Sequence, residues 1–288
     1  MNGRGTYDIQ GFRAAYDEVM AKWPADREAF DVATPYGTTH VHACGPRDAP
    51  PLVLLPGGGG ATSASWFANA EALSRAHRVY AVDLIGRPGH SVSEADHPLR
   101  TVADLTAWMD LVLDGLGAGT TALCGHSYGA WIALHYTLHA PDRVRRLALL
   151  DPTGCFTGFA AGYLLRAGWM MARRSARGTR AFLEWETGGA PVDPEWLRLQ
   201  EAAAGFPFVR PVTGPAPDRA ASSALDVPAL LLLAGRSRAH DTREVAARSV
   251  EWLPRSRVTV LPDATHHTLP HLDPAELNSR LTDFLNGR

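Results

Sequence analysis

A serine framed by glycines two places to either side, Gly125-His126-Ser127-Tyr128-Gly129, is the segment of this chain best suited to chemistry. It follows the apolar run Thr121 to Cys124 and precedes the helical run Ala130 to Leu134. In that setting G-x-S-x-G is a nucleophile elbow, a sharp strand-to-helix turn that leaves the serine hydroxyl exposed. The glycines spare the turn two side chains that would collide, and the following helix aims its N-terminus at any negative charge that develops. Serine is a weak nucleophile until a neutral imidazole takes its proton. The segment Pro262-Asp263-Ala264-Thr265-His266-His267-Thr268 offers two. Counting from the apolar run Val258 to Leu261 favours His266, whereas counting back from Pro274 favours His267. His126 sits inside the turn, where its side chain should point away from the hydroxyl and serve packing.

Elements must hold these groups together. Phe30 to Thr34 and Thr38 to Ala43, joined by Pro35-Tyr36-Gly37, read as a hairpin. Leu52 to Leu55, Val79 to Val82, Thr121 to Cys124, Leu147 to Leu150, Ala229 to Leu233 and Val258 to Leu261 are continuous apolar runs, the pattern of strands buried on both faces. Helical spacing fills Val102 to Leu116, Tyr128 to Leu138, Arg243 to Trp252 and Ala275 to Leu285. The alternation predicts an α/β fold, a doubly wound, mostly parallel sheet whose chemistry lies at the carboxyl ends of the strands. About 75 residues separate Leu150 from Ala229, too many for one crossover helix. Helical stretches at Tyr163 to Arg177, Thr179 to Thr187 and Pro194 to Ala204 there suggest a helical cap over 155–224, laid on a core of 1–154 and 225–288.

The whole chain, 288 residues and 45% hydrophobic, is enough for one large domain. Lys+Arg of 28 against Asp+Glu of 30 gives no basic field to hold nucleic acid. Cys44, Cys124 and Cys155 have no metal-ligand or CxxC spacing, so neither a metal site nor a disulfide framework is expected. The first twenty residues lack the apolar stretch of a secretory leader, and no run is long enough to span a bilayer. The expectation is a cytoplasmic protein without cofactor or metal.

Four landmarks in order make the sequence resemble the α/β-hydrolase superfamily, particularly its cap-bearing, esterase-like members. They are Leu54-Leu55-Pro56-Gly57-Gly58-Gly59-Gly60, Val82-Asp83-Leu84-Ile85-Gly86-Arg87-Pro88-Gly89-His90-Ser91, the elbow, and the late histidine. The resemblance covers nearly the whole chain. It implies an oxyanion hole made by the Tyr128 N–H and one from Gly57 to Gly60, with Gly58 the first candidate and Gly59 the second. Pro56 stands where many members carry histidine. The resemblance also implies an acid beyond the glycine after Ala229 to Leu233, but Gly235-Arg236-Ser237-Arg238 puts arginine there. Asp241 lies a little further on, in a segment that also reads as a helix capping box. Asp151 is the alternative, since some members place the acid at that strand end; an Asp-Pro turn with Pro152 would explain it equally.

The cap segment carries Trp169, Met170, Met171, Phe182, Trp185, Trp196, Phe206 and Phe208. They suit a hydrophobic small-molecule substrate, although at helical spacing most should be core. Arg173, Arg174 and Arg177 could attract an anion or simply face solvent. The leading expectation is hydrolysis of a carboxylic ester, lactone or thioester through an acyl-enzyme. A lyase, acyltransferase or cyclase on the same fold is the second reading. A non-catalytic binding module, suggested by Arg238, is the third.

Overall fold

The computed structural model describes residues 7–207 and 209–288, so Phe208 lies outside the described residues. The strands are β1 (Glu28–Thr34), β2 (Gly37–Cys44), β3 (Pro51–Leu55), β4 (Arg78–Val82), β5 (Val92–Ser93), β6 (Thr121–His126), β7 (Val144–Leu150), β8 (Ala229–Ala234) and β9 (Ser256–Leu261). Their order is β1-β2-β4-β3-β6-β7-β8-β9, with β5 paired on β2. From β4 onward the ladder is parallel, and β1 and β2 form the antiparallel hairpin at one edge.

The helices are α1 (Ile9–Met20), α2 (Ala70–Ser74), α3 (Val102–Gly115), α4 (Tyr128–His139), α5 (Ala161–Arg173), α6 (Ala176–Thr187), α7 (Pro194–Ala203), α8 (Arg219–Ser223), α9 (Thr242–Trp252) and α10 (Pro274–Leu285). Alternate side chains of each central strand enter opposite cores. Leu52 and Leu54 join Phe12, Leu73, Leu277 and Phe284 on one face, while Val53 and Leu55 join Trp108, Val112, Ile132 and Val245 on the other. Both faces are therefore dry, and each fully buried Leu or Val adds roughly 1.5–3 kcal/mol over an exposed one.

Helices α5 to α8 occupy the long interval between β7 and β8. The two helices expected at Tyr163 to Arg177 and Thr179 to Thr187 are both present, but the break between them falls earlier, at Arg174 and Ser175. Arg174 adopts a left-handed φ of 32°, and Ser175 then caps α6 by accepting from the Gly178 N–H. The insertion is anchored by α1, which packs against α7 and pairs Glu18 with Arg198, and by Lys22 just beyond α1, which pairs with Asp193 and Glu195. Among the described residues no helix is long and apolar enough to cross a membrane.

Candidate active site

Strand β6 delivers Ser127 into a forced conformation. Its φ of 54° and ψ of −114° lie outside ordinary L-residue space, and its N–H is tied to the Leu150 carbonyl at 2.9 Å. The turn is as tight as the motif implies: a Cβ on Gly125 would stand 2.3 Å from the Gly129 carbonyl oxygen, and one on Gly129 would stand 2.2 Å from that of Leu55. No residue other than glycine fits either place.

The Ser127 Oγ lies 2.8 Å from His266 Nε2, and His266 Nδ1 lies 2.6 Å from Asp151 Oδ2. A carboxylate can only accept, so Nδ1 carries the imidazole proton and Nε2 presents its lone pair to the hydroxyl. Asp151 follows β7, the neighbour of β6, with a left-handed φ of 41°. Its carboxylate also accepts from the Ala234 N–H at 2.9 Å, at the end of β8, and from the Ser237 hydroxyl at 2.8 Å, in the loop that follows. His240 Nε2 lies 3.3 Å from Oδ1. Burial would push this carboxyl up, but the imidazoles of His240 and His266 outweigh it and hold Asp151 well below the usual carboxylate range. The acid is therefore ionised.

Asp241 is not brought to this cluster, which corrects the alternative that named it. It is exposed at the N-terminus of α9, and its carboxylate accepts from the N–H groups of Arg243 and Glu244 at 2.9 and 3.2 Å, the expected cap. His267 points elsewhere too, with its Nε2 3.4 Å from the Tyr163 hydroxyl. Burial, with the neighbouring His266 adding to it, takes its pKa down to about 3. His126 Nε2 donates to the His266 carbonyl at 2.9 Å, and burial holds that ring neutral. Arg238, in the position where an acid was expected, is exposed and stacks over Trp185 at 4.9 Å.

Above the serine runs the glycine loop. A Cβ on Gly57 would stand 3.5 Å from Ser127 Cβ, and one on Gly58 would stand 3.6 Å from Tyr128 Cβ, so this backbone borders Ser127. Gly59 has nothing within 4 Å of such a position and is exposed. The Tyr128 N–H opens α4, where first-turn amides have no intrahelical acceptor.

Glu186 of α6, not anticipated from the sequence, is fully buried. Its Oε1 accepts from the His266 N–H at 3.0 Å, and its Oε2 accepts from the Thr265 hydroxyl at 3.0 Å and the His267 N–H at 3.2 Å. One carboxylate from the insertion thus holds the backbone of the histidine loop. A sequence signal existed, because Glu186 follows the apolar Phe182 and Leu183 by four and three residues and so shares their helix face. His240 and Ser237 carried no comparable signal.

Ser127 and His266 open into a cavity of about 820 Å³. Met170, Met171, Phe182, Trp196 and Phe206 line it, more of the insertion's large side chains than the sequence suggested; Trp169 is turned out to solvent and Trp185 packs behind the wall. Of the three arginines noted on the insertion, Arg174 lines the cavity.

An open, mostly parallel sheet with a serine on the turn after its central strand defines a class of fold. Residues 52–280 match the model of the alpha/beta hydrolase family, and the chain belongs to that family. It is similar to Carboxylesterase YbfK of Bacillus subtilis, 32% identical over 96% of this chain and 94% of that protein. It is also 31% identical to a second Bacillus subtilis protein, the uncharacterized carboxylesterase nap, over 94% of this chain and 91% of that one. Crystal structures of carboxylesterase CesB (YbfK) and of naproxen esterase, both from Bacillus subtilis, superpose with TM-scores of 0.89 and 0.88 at 30% and 28% identity. They cover 97% and 99% of this chain and 100% and 99% of those chains.

Proposed function

We propose that the protein hydrolyses carboxylic esters of hydrophobic small molecules, lactones and thioesters being chemical neighbours of the same reaction. The observation that carries this reading is the unbroken line from Asp151 through His266 to Ser127 at the floor of a large apolar cavity. The names of the two carboxylesterase relatives support it.

In this mechanism Ser127 Oγ attacks the carbonyl carbon as His266 Nε2 removes its proton, and Asp151 stabilises the imidazolium that results. The N–H groups of Tyr128 and Gly58 receive the oxyanion, each worth about 3–4 kcal/mol to the transition state. His266 then protonates the departing alcohol, leaving Ser127 acylated. Water enters by the same path, loses its proton to His266 and releases the acid. The chemistry calls for no group beyond these.

Segment 155–224 serves in this reading as a cap that excludes water and supplies the apolar walls. A cytoplasmic location belongs to the same reading, in keeping with three buried cysteines that are all unpaired. A fluorophosphonate probe and a series of p-nitrophenyl esters test the proposal. Labelling and turnover are expected in wild type and absent in Ser127→Ala; a folded wild-type protein that neither labels nor turns over any ester would overturn it.

A further inference from the structure

The loop after β4 places Arg87 on the wall of the cavity that holds Ser127. Its guanidinium carbon stands 5.6 Å from the centroid of the Tyr128 ring, on the residue next to the nucleophile. The side chain is half-buried, and burial, the largest influence on it, lowers its pKa even though the Tyr128 phenol opposes the shift. That phenol donates to the Val212 carbonyl at 2.8 Å, and its oxygen is a neutral hydrogen-bond partner for Arg87 that leaves the positive charge unbalanced. Among the described residues no carboxylate lies within ion-pair distance of Arg87, and none lines the cavity or the small recess of about 60 Å³ on its other side. The contrast within the same cavity is Arg248, which has Glu244 at 2.5 Å and the Phe156 carbonyl at 2.9 Å.

Holding a cation partly out of water without a counter-charge is costly, and a protein gains from it only when the partner arrives from outside. The planar fork of five N–H donors matches a carboxylate in a bidentate pair. Coulomb attraction in a site with apolar walls is stronger than at an open surface. We propose that Arg87 is an anion subsite, and that the ester taken by this cavity carries a free carboxylate on the arm that passes the outer face of Tyr128. The inference deepens the esterase reading and rests on it for the word ester, but the subsite itself is testable without turnover.

In Ser127→Ala protein, calorimetry is run with benzyl hydrogen adipate and with benzyl methyl adipate, whose far ends are a carboxylate and its neutral methyl ester. The acid is expected to bind at least tenfold more tightly than the neutral diester. Arg87→Gln in the same background should bring the ratio close to one, and Arg87→Lys should retain part of it. A ratio near one with Arg87 present, a ratio that survives Arg87→Gln, or no detectable binding of the acid would each overturn the subsite. Wild-type protein that hydrolyses both esters without preference sinks the subsite and spares the esterase reading. Protein that keeps the binding ratio but hydrolyses no ester does the reverse.

Discussion

At the scale of single residues, the proposed mechanism separates groups that would react from groups that stand nearby. Ser127→Ala should lower kcat/KM toward a p-nitrophenyl ester by about 10⁴-fold or more, and Asp151→Asn by about 10⁴-fold, because an amide there no longer fixes the tautomer that leaves Nε2 free. Asp241→Ala is the control. Its activity should remain within about threefold of wild type, while denaturant titration shows a loss of about 1 kcal/mol from the missing helix cap. If instead Asp241→Ala abolished turnover and Asp151→Asn did not, the order of the proton path would be wrong. The elbow serine, Ser127, was legible because its turn imposes glycine at two fixed offsets. The acid was not, because any Asp at a strand end can be explained by local turn geometry, and only tertiary structure shows that Asp151 meets His266 across two strand ends.

Elements explain how much of the rest could be read in advance. Strands β3, β4, β6, β7 and β8 announced themselves as unbroken apolar runs, since a sheet dry on both faces leaves no polar alternation to confuse the pattern. Helix α1 was missed although Phe12, Ala15, Tyr16, Val19 and Met20 recur at helical spacing and all are buried. The short α2 and α8, five residues each, are too brief for a period to show. Contacts between elements were the least legible: helical spacing put Glu186 on the buried face of α6, but nothing in the sequence paired it with the histidine loop. Glu186→Gln should lower kcat by about ten- to a hundredfold with the protein still folded, because its amide NH₂ would face N–H donors where an acceptor is needed. Slower fluorophosphonate labelling of the variant would report the same loss independently of turnover. Unchanged kcat and labelling would mean that the histidine loop holds its shape without α6. The elbow is stricter: Gly129→Ala should cost roughly 3 kcal/mol or more through collision with the Leu55 carbonyl, measured by chemical denaturation.

For the molecule as a whole, two half-buried histidines of the loop after β9 set an acid limit. Burial, the largest influence on each, lowers His267 to about 3 and His271 to about 4. Both titrate near 6.5 when unfolded, so between about pH 6.5 and 4 the unfolded chain binds more protons than the native one. Stability is therefore full above that window and falls as pH drops through it, by at most about 1.4 kcal/mol per unit for each ring. Melting temperature followed from pH 7 to 4.5 should decline, and His271→Gln should flatten the decline; an identical slope in both proteins would contradict it. The insertion is held down unevenly. Helix α7 is clamped to α1, and α6 cannot lift without stripping Glu186 from three donors, whereas α5 has no buried residue and leaves Leu165 and Trp169 76% and 61% exposed. Any movement of the insertion that spares the histidine loop must therefore begin at α5, because one at α6 would pull away the carboxylate that holds His266.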